Sequence, residues 1–411
     1  MSPLGRRTAF LLAFLLVLIF VTRLDRPGLL APGEGRYAEA ARTMVLSGDW
    51  VVPRVNGQIH LEKPPLLYWL AAASFTVFGM NETSARLVPA LSALLAALMV
   101  FLLGRRIYGE TGGWLAAFIL LTGMTWSVYA RFLTTDVPAV AFQAVSLWAY
   151  WRARETGARR YLIAFAAALA AGVLTRGLLA LSFPIFTIVA FCLIRREWKP
   201  RDPGGWLLAA VLFFALAAPW HVAVEMRLPG FLRHYLVENH LGRFVGAYPP
   251  RGMSSLSFGG FWLTALGGLL PWSFFLPAAA ADTWRRLRRG RALSEGDLYA
   301  LLWAGSVLVF VSFSGSRMER YFLPAAPGLA LWMAGRLVSA SGEGRGGRVS
   351  WAYPAGAAGI AAAGLALAWV PLWPRAPELI PQGKGILSLL PWIGSFFALG
   401  GMFAFWAMRR G

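Results

Sequence analysis

Residues 60–63 read His-Leu-Glu-Lys and run into a proline pair and the aromatic-rich stretch LLYWLAAASFTVFG. An imidazole, a carboxylate and an ammonium within four residues can move a proton or hold an anion. A charge placed where the chain re-enters a membrane is costly unless it is paired or functional, which makes His60, Glu62 and Lys63 a candidate site. The plain alternative is that Lys63 snorkels and Glu62 pairs with it. Upstream, PGEGRYAEAARTMVLSGDW at 32–50 contributes Glu34, Arg36, Tyr37, Glu39, Arg42 and Asp49. Taken alone, the Arg36/Glu39 and Glu39/Arg42 pairs make a solvated helix face, worth roughly a few tenths of a kcal/mol each. Three further tags carry reactive types: VENHLGRF with His240 and Arg243, TTDVP with Asp136, and SRMERYFLP with Arg317, Arg320 and Tyr321. Asp136, two residues ahead of Pro138, also suits a helix N-cap, a role compatible with chemistry. Arg317 and Arg320 can equally be cations at a membrane edge.

The elements that must position these residues are transmembrane helices. The 411-residue chain is 58% hydrophobic and only 14% charged, with mean hydropathy +0.57, far more apolar surface than one or two soluble cores could hide. About twelve apolar segments approach the ~20 residues needed to cross a bilayer, near 8–22, 84–103, 112–130, 136–151, 161–174, 177–194, 206–225, 261–281, 297–314, 321–338, 351–370 and 387–408. The fold class is therefore all-α and polytopic. The first segment has Arg6 and Arg7 before it and TRLDRPG after it, with no small-residue cleavage site, and reads as a retained anchor. The formal charge of +20 does not point to nucleic acid, because the arginines sit in short clusters between apolar segments. With the N-terminus inside, those clusters fall on inner loops, and His60, His221, His234 and His240 all fall at or beyond the outer edge. The two long outer loops, 23–83 and 226–260, then gather the chemistry. In the first, GRYAEAARTMVLSGDW predicts a short amphipathic helix with Tyr37, Ala41, Met44 and Val45 on one face and Gly48 as its stop. Cys192 stands alone, so no intrachain disulfide forms. No nucleotide-binding glycine motif is present, and the Gly-rich 339–350 reads as an inner loop.

RYAEAARTMVLSGDWVVPRVNGQIHLEKPPLLYW resembles the first outer loop of the aminoarabinose transferases and their protein O-mannosyltransferase-like relatives, the GT-C glycosyltransferases. The likeness is dense over 34–90 and thinner at TTDVP, ENHLGRF and RYFLPAAPGLAL. The resemblance implies one GT-C-like domain over 1–411, with amphipathic juxtamembrane helices after the first span and without the soluble domain some relatives append. It implies glycosyl transfer from a polyprenyl-phosphate sugar to a glycolipid or protein acceptor, with the site at the outer face of the bacterial cytoplasmic membrane, toward the periplasm. Lys63, Tyr321, Arg243 and Arg36 become donor-phosphate ligands, as arginine's planar fork suits phosphate. Glu62 and His240 match a divalent-metal pair, for Zn or Mg/Mn, that phosphate or water would have to complete.

Such transfer builds negative charge on the departing phosphate and asks for a carboxylate to orient or deprotonate the acceptor. Asp136 is one candidate. The other departs from the family pattern: most relatives carry Asp-Glu before Arg-Tyr, whereas here Gly33 takes the aspartate position and Glu34 follows it. Glu34, flanked by Gly33 and Gly35, could assume the role. A catalytically impaired lipid-binding relative is the alternative this departure raises. A secondary transporter or flippase is another, which would place charges near the midplane and show related halves.

Overall fold

The structure is a computed structural model of the 411-residue chain and describes the backbone at residues 17, 20–26, 28–29, 33–197, 202–242, 255–343, 352–369, 398 and 402. The described residues are predominantly helical, and they form two compact units. The first comprises the chain as far as Gly268 together with Glu295–Trp332; the second comprises Leu269–Ser294 and the chain from Met333.

In the first unit, α1 (Gly33–Ser47) is the anticipated amphipathic helix. Ala38, Ala40, Ala41 and Met44 are buried on it, and the left-handed Gly48, φ 71°, ends it while donating to Met44 O at 3.0 Å. A two-residue hairpin follows, β1 (Arg54–Val55) against β2 (Gln58–Ile59), with Arg54 opposite Ile59. Asn56 and Gly57 supply the two positive φ angles, 51° and 78°, that so tight a reversal requires. Helix α2 (Leu66–Phe78) has 13 residues, about 20 Å, too short to span. It buries Leu67, Tyr68, Ala71, Ala72 and Phe75 against α1 instead.

Helix α3 (Glu82–Thr122) is 41 residues long but is two arms rather than one rod. Gly109, at φ 80° and ψ 178°, breaks the helix, and the arms fold back so that the Phe101 and Trp114 rings stand 4.5 Å apart. Glycines make the close approach possible, for a Cβ on Gly113 would lie 2.7 Å from Phe101 O and 2.8 Å from Arg105 N. The segments 84–103 and 112–130 are these arms, except that the second stops at Thr122 and a short α4 (Met124–Tyr129) follows Gly123.

The next four helices are joined by short connections: α5 (Asp136–Thr156), α6 (Arg159–Arg176), α7 (Leu178–Arg195) and α8 (Pro203–Arg227). Left-handed Gly157 separates α5 from α6, and Gly177 separates α6 from α7. The chain continues through Phe231–Arg233 into a π-helical segment, His234–Gly242, then α9 (Phe258–Gly268). In the second unit α10 (Leu276–Arg288) follows the 3₁₀ turn Trp272–Phe275, so the segment 261–281 is broken rather than continuous. The first unit resumes with α11 (Glu295–Phe313), the 3₁₀ turns Glu319–Ala325 and α12 (Ala326–Glu343), whose later residues belong to the second unit with α13 (Ala352–Trp369). There, Phe275, Ala278, Tyr353, Ala357 and Ile360 form a small core, and Asp282 accepts from both Arg286 and Arg336 at 3.2 Å.

Among the described residues, α3, α7, α8 and α11 are long and apolar enough to cross a membrane, and α9 with Trp272–Arg288 meets the same criterion as a broken pair. Helix α6 carries Arg159 and Arg160 at its start and Arg176 at its end. Most of the segments 387–408 and 8–22 lies outside the described residues.

Gly113→Val should destabilise the α3 hairpin by about 1–3 kcal/mol, because the atoms it would strike are backbone and cannot rotate away. A melting temperature in detergent equal to that of the parent would refute this packing.

Candidate active site

The site is assembled where several elements of the first unit end together. Its foundation is a buried ion pair. Glu34, in the first turn of α1, is 1% exposed, and Arg86, near the start of α3, is 3% exposed. Arg86 Nε and NH2 donate to Glu34 Oε1 and Oε2 at 3.0 and 2.7 Å, while NH1 reaches Leu24 O at 2.8 Å and NH2 reaches Gly28 O at 3.2 Å. The Leu133 amide completes the set, donating to Glu34 Oε1 at 2.9 Å. Such a bidentate pair tolerates burial only because its lone pairs and protons are satisfied. Both carboxylate oxygens of Glu34 are thus committed to holding the chain before α1, the start of α3 and the loop before α5 in one place.

Asp136 stands three residues beyond Leu133, as the first residue of α5. Thr135, not Asp136, is the cap residue, and the Asp136 carboxylate turns to cations instead. Arg176, the last residue of α6, donates to it directly, and Arg320 Nε lies 3.7 Å away. Asp136 is 4% exposed. The Arg176 guanidinium also covers the Tyr321 ring, 5.8 Å from its centroid. Burial works against the charge on Arg320, yet Asp136 and the neighbouring tyrosines raise its pKa overall. Tyr129 donates to Glu319 at 2.5 Å, bringing α4 to the same edge.

Tyr37 links this cluster to the first outer loop. Its hydroxyl pKa is raised, first by burial and then by Asp136, against the opposing pull of Arg320, Arg176 and Arg36. Its ring stacks on Tyr68, with centroids 6.0 Å apart, and Tyr68 in turn faces the His60 ring at 6.3 Å. His60 sits just after β2, its pKa lowered by burial, then raised by Glu62 and lowered again by Arg36 and Lys63. Glu62 and Arg36 form a loose ion pair, 3.8 Å, with both side chains about two-fifths exposed.

Of the residues singled out in the sequence, Arg36, Glu62 and Lys63 thus form one group beside His60, and Asp136 and Tyr321 form another around Arg176 and Arg320. Tyr37 touches both. Glu34 is adjacent in sequence but bound inward, the opposite of a free carboxylate. Arg317 lies elsewhere in the loop, donating to Ser312 O at 2.9 Å and standing over the Phe258 ring. The His240 backbone lies within the π-helical segment; its side chain and Arg243 fall outside the described residues. Among the described residues, no three of His, Cys, Asp and Glu converge as metal ligands. Sequence reasoning missed Arg176, whose signal was a lone cation inside an otherwise apolar run, Arg86, which follows the polar stretch NETS, and Tyr37, noted only as part of a helix face.

Residues 62–222 match the family model described as dolichyl-phosphate-mannose-protein mannosyltransferase. Over 340 residues the chain is 31% identical to an undecaprenyl phosphate-alpha-4-amino-4-deoxy-L-arabinose arabinosyl transferase of Edwardsiella ictaluri, covering 81% of this chain and 60% of that protein. The crystal structure of ArnT from Cupriavidus metallidurans bound to undecaprenyl phosphate is similar over 100% of this chain and 73% of that one, with TM-score 0.80 and 26% identity. The chain belongs by its fold to the GT-C superfamily and is similar to the aminoarabinose transferases within it. A protein of the same description from Pseudomonas aeruginosa is 30% identical over 339 residues, 81% of this chain and 60% of that protein. The GT-C chain therefore spans about 60% of the length of these curated relatives. An Archaeoglobus fulgidus oligosaccharyltransferase in the apo form, TM-score 0.55 at 15% identity over 95% of this chain and 60% of that one, shares the fold.

Arg86→Met leaves the Glu34 carboxylate buried without its partner, at an expected cost of about 3–5 kcal/mol, whereas Arg86→Met with Glu34→Leu should recover much of that loss. Thermal unfolding in detergent checks this; a single variant no less stable than the double would show that the pair holds nothing.

Proposed function

We propose that this GT-C chain transfers a glycosyl group from a polyprenyl-phosphate-linked sugar to a lipid or protein acceptor at the outer, periplasm-facing side of a bacterial cytoplasmic membrane, with about twelve spans and residues 1–411 acting as one catalytic domain. The observation that carries the proposal is the meeting of Arg176 and Arg320 on Asp136, at the ends of apolar helices and beside Tyr37 and Tyr321. Support comes from the similarity over the whole chain to a structure whose ligand is undecaprenyl phosphate.

Two guanidiniums around one carboxylate form a site poised for anion exchange. A lipid phosphate entering beside them competes for the arginines' donors, which suit phosphate at least as well as carboxylate. Lys63 and Arg36 add cationic charge from the first outer loop, Tyr321 lies beneath Arg176, and Arg243 completes the proposed set of phosphate ligands. As the bond from the sugar's anomeric carbon to phosphate oxygen breaks, the departing phosphate takes the electron pair, and these cations stabilise it. Asp136, relieved of part of its pairing, is then available to orient the acceptor hydroxyl or amine that attacks the same carbon and to receive its proton. Glu34 acts in this scheme as a positioning residue, through Arg86 and the Leu133 amide. A divalent cation on Glu62 and His240 would add positive charge beside the phosphate. Glu62 keeps lone pairs in reach of solvent, but its described neighbour is the cation Arg36, and no step here is routed through a metal.

One observation favours a second function, lipid-phosphate binding without turnover. Glu34 is held by Arg86 rather than offered to an acceptor, and by the family resemblance Gly33 takes the position at which most relatives carry aspartate. The two are separated by supplying the missing group with Gly33→Asp, at a position where an added Cβ meets nothing within 4 Å. Release of radiolabelled sugar from a polyprenyl-phosphate donor should be measurable with the parent protein and faster with Gly33→Asp. Release by the variant alone would assign the parent to the binding function, and release by neither would sink the enzyme.

Arg176→Ala and Arg320→Ala should each weaken undecaprenyl phosphate binding by roughly 10- to 100-fold, the worth of about 1.5–3 kcal/mol for a charge-assisted hydrogen bond, and Lys63→Ala should act in the same direction. Unchanged affinity in all three, measured by thermal shift or native mass spectrometry with the free lipid phosphate, would overturn the placement of the donor.

A further inference from the structure

The helices that bring Asp136 and Arg176 together have another end. Helix α5 has 21 residues, so Thr156 lies about 30 Å from Asp136, close to the thickness of a bilayer's hydrocarbon. At that far end α5, α6, α7 and α8 diverge around a cavity of about 300 Å³. Its wall is mostly apolar, with Leu162, Ile188, Trp206, Ala153, Tyr150 and Cys192, the last two sharing a hydrogen bond of 3.1 Å. Arg154, Glu197 and Asp202 also line it.

The charges at this end form a closed lattice. Arg154 holds Glu197 at 2.7 Å and Glu295 at 2.9 Å, Arg159 holds Asp202 at 2.7 Å, Arg152 and Arg106 share Glu155 at 2.7 and 3.0 Å, and Arg195 also contacts Glu295. Every carboxylate among these is thus answered by an arginine, so none repels an incoming anion. Six arginines, counting Arg160, stand against four carboxylates, and the surplus is positive. Arg160 is exposed, and its contacts among the described residues are with Tyr161, whose ring it covers at 5.0 Å and whose hydroxyl lies 3.4 Å from its NH2. Arg152 reaches the same hydroxyl at 3.4 Å. An apolar slot with Arg154 in its wall, and with Arg152 and Arg160 just outside it, next to the lining Ala153 and two residues before the lining Leu162, lies where a membrane's headgroups begin and matches one kind of molecule, an amphiphile with an anionic head.

We propose that this cavity binds an anionic phospholipid of the membrane leaflet opposite the candidate active site, its acyl chain between α5, α6, α7 and α8 and its phosphate on Arg160 and Arg152. The site is independent of the proposed glycosyl transfer, for it shares no residue with the Asp136 cluster.

Cys192, the single cysteine of the chain, makes occupancy measurable. The parent protein would be reconstituted in nanodiscs of phosphatidylcholine alone or with phosphatidylglycerol at one lipid in three, and the rate of Cys192 alkylation by N-ethylmaleimide followed. Alkylation several-fold slower with phosphatidylglycerol is expected, and Arg160→Gln, a change on the surface that spares the ion-pair lattice, should erase most of that difference. Equal rates in the two bilayers overturn the proposal. So does equal protection by 10 mM inorganic phosphate in phosphatidylcholine discs, which would make this a site for a soluble anion. Native mass spectrometry supplies a second readout: the parent should retain phosphatidylglycerol, Ile188→Trp should lose it by filling the cavity, and both should bind undecaprenyl phosphate alike. Retention by the filled variant would also overturn it.

Discussion

Arg86 gives its guanidinium to both oxygens of Glu34 and to the carbonyls of Leu24 and Gly28, while Glu34 also accepts from the Leu133 amide. In a setting so poor in water, an ion pair is stable only when every donor and acceptor has a partner, and that demand fixes geometry more tightly than apolar packing can. Three separate stretches of chain are brought to one point as a result. Leu133 is three residues from Asp136, so the position of α5, and of the carboxylate at its head, follows from where Glu34 sits. The remaining parts of the site then arrive by helix length alone: α6 returns from Gly157 and delivers Arg176 at its end.

The division of labour between the two carboxylates follows from their surroundings. Glu34 meets one arginine along both edges and two backbone carbonyls share that arginine, so nothing is left over for a ligand. Asp136 meets two arginines that have further work to do, one lying over the Tyr321 ring and the other near several tyrosines. An arriving phosphate has no lever on the first pair and a strong one on the second. In a chain with few charges, pairing of this kind lets a cationic site exist before its ligand does, because Asp136 takes the anion's place.

Much of this was legible in the residues. The amphipathic helix ended by Gly48, the reversal at Asn56-Gly57 and the crowding of charge into 32–63 are local effects, and the chain shows them directly. The arms of α3 were legible as two segments because Gly109 follows the paired arginines Arg105 and Arg106. What was not legible is pairing over distance. Arg86 is 52 residues from Glu34 and Arg176 is 40 from Asp136, and nothing near either arginine in the chain names its partner. Glu34 was therefore weighed as a replacement for an absent aspartate, when its own partner had already claimed it. The broken segment at 261–281 was obscured for another reason, since hydropathy does not register the 3₁₀ turn at Trp272–Phe275.

The order in which the chain is made gives the Glu34–Arg86 bond a further meaning. Ribosomes add roughly 5–20 residues per second, so the ~50 residues that separate the pair take about 3–10 seconds to emerge. Both partners, and the α3 hairpin with its short turn, exist while α5 is still unmade. The Leu133 amide comes next and seals Glu34, Arg176 follows some forty residues later, and Arg320 comes more than 140 residues after that. The charges that would be most costly to leave unmatched in lipid are thus matched in sequence of birth, each new cation finding its acceptor already in place. A newborn chain builds its scaffold first and its reactive centre last, and it need not carry an unshielded Asp136 for long before an arginine reaches it.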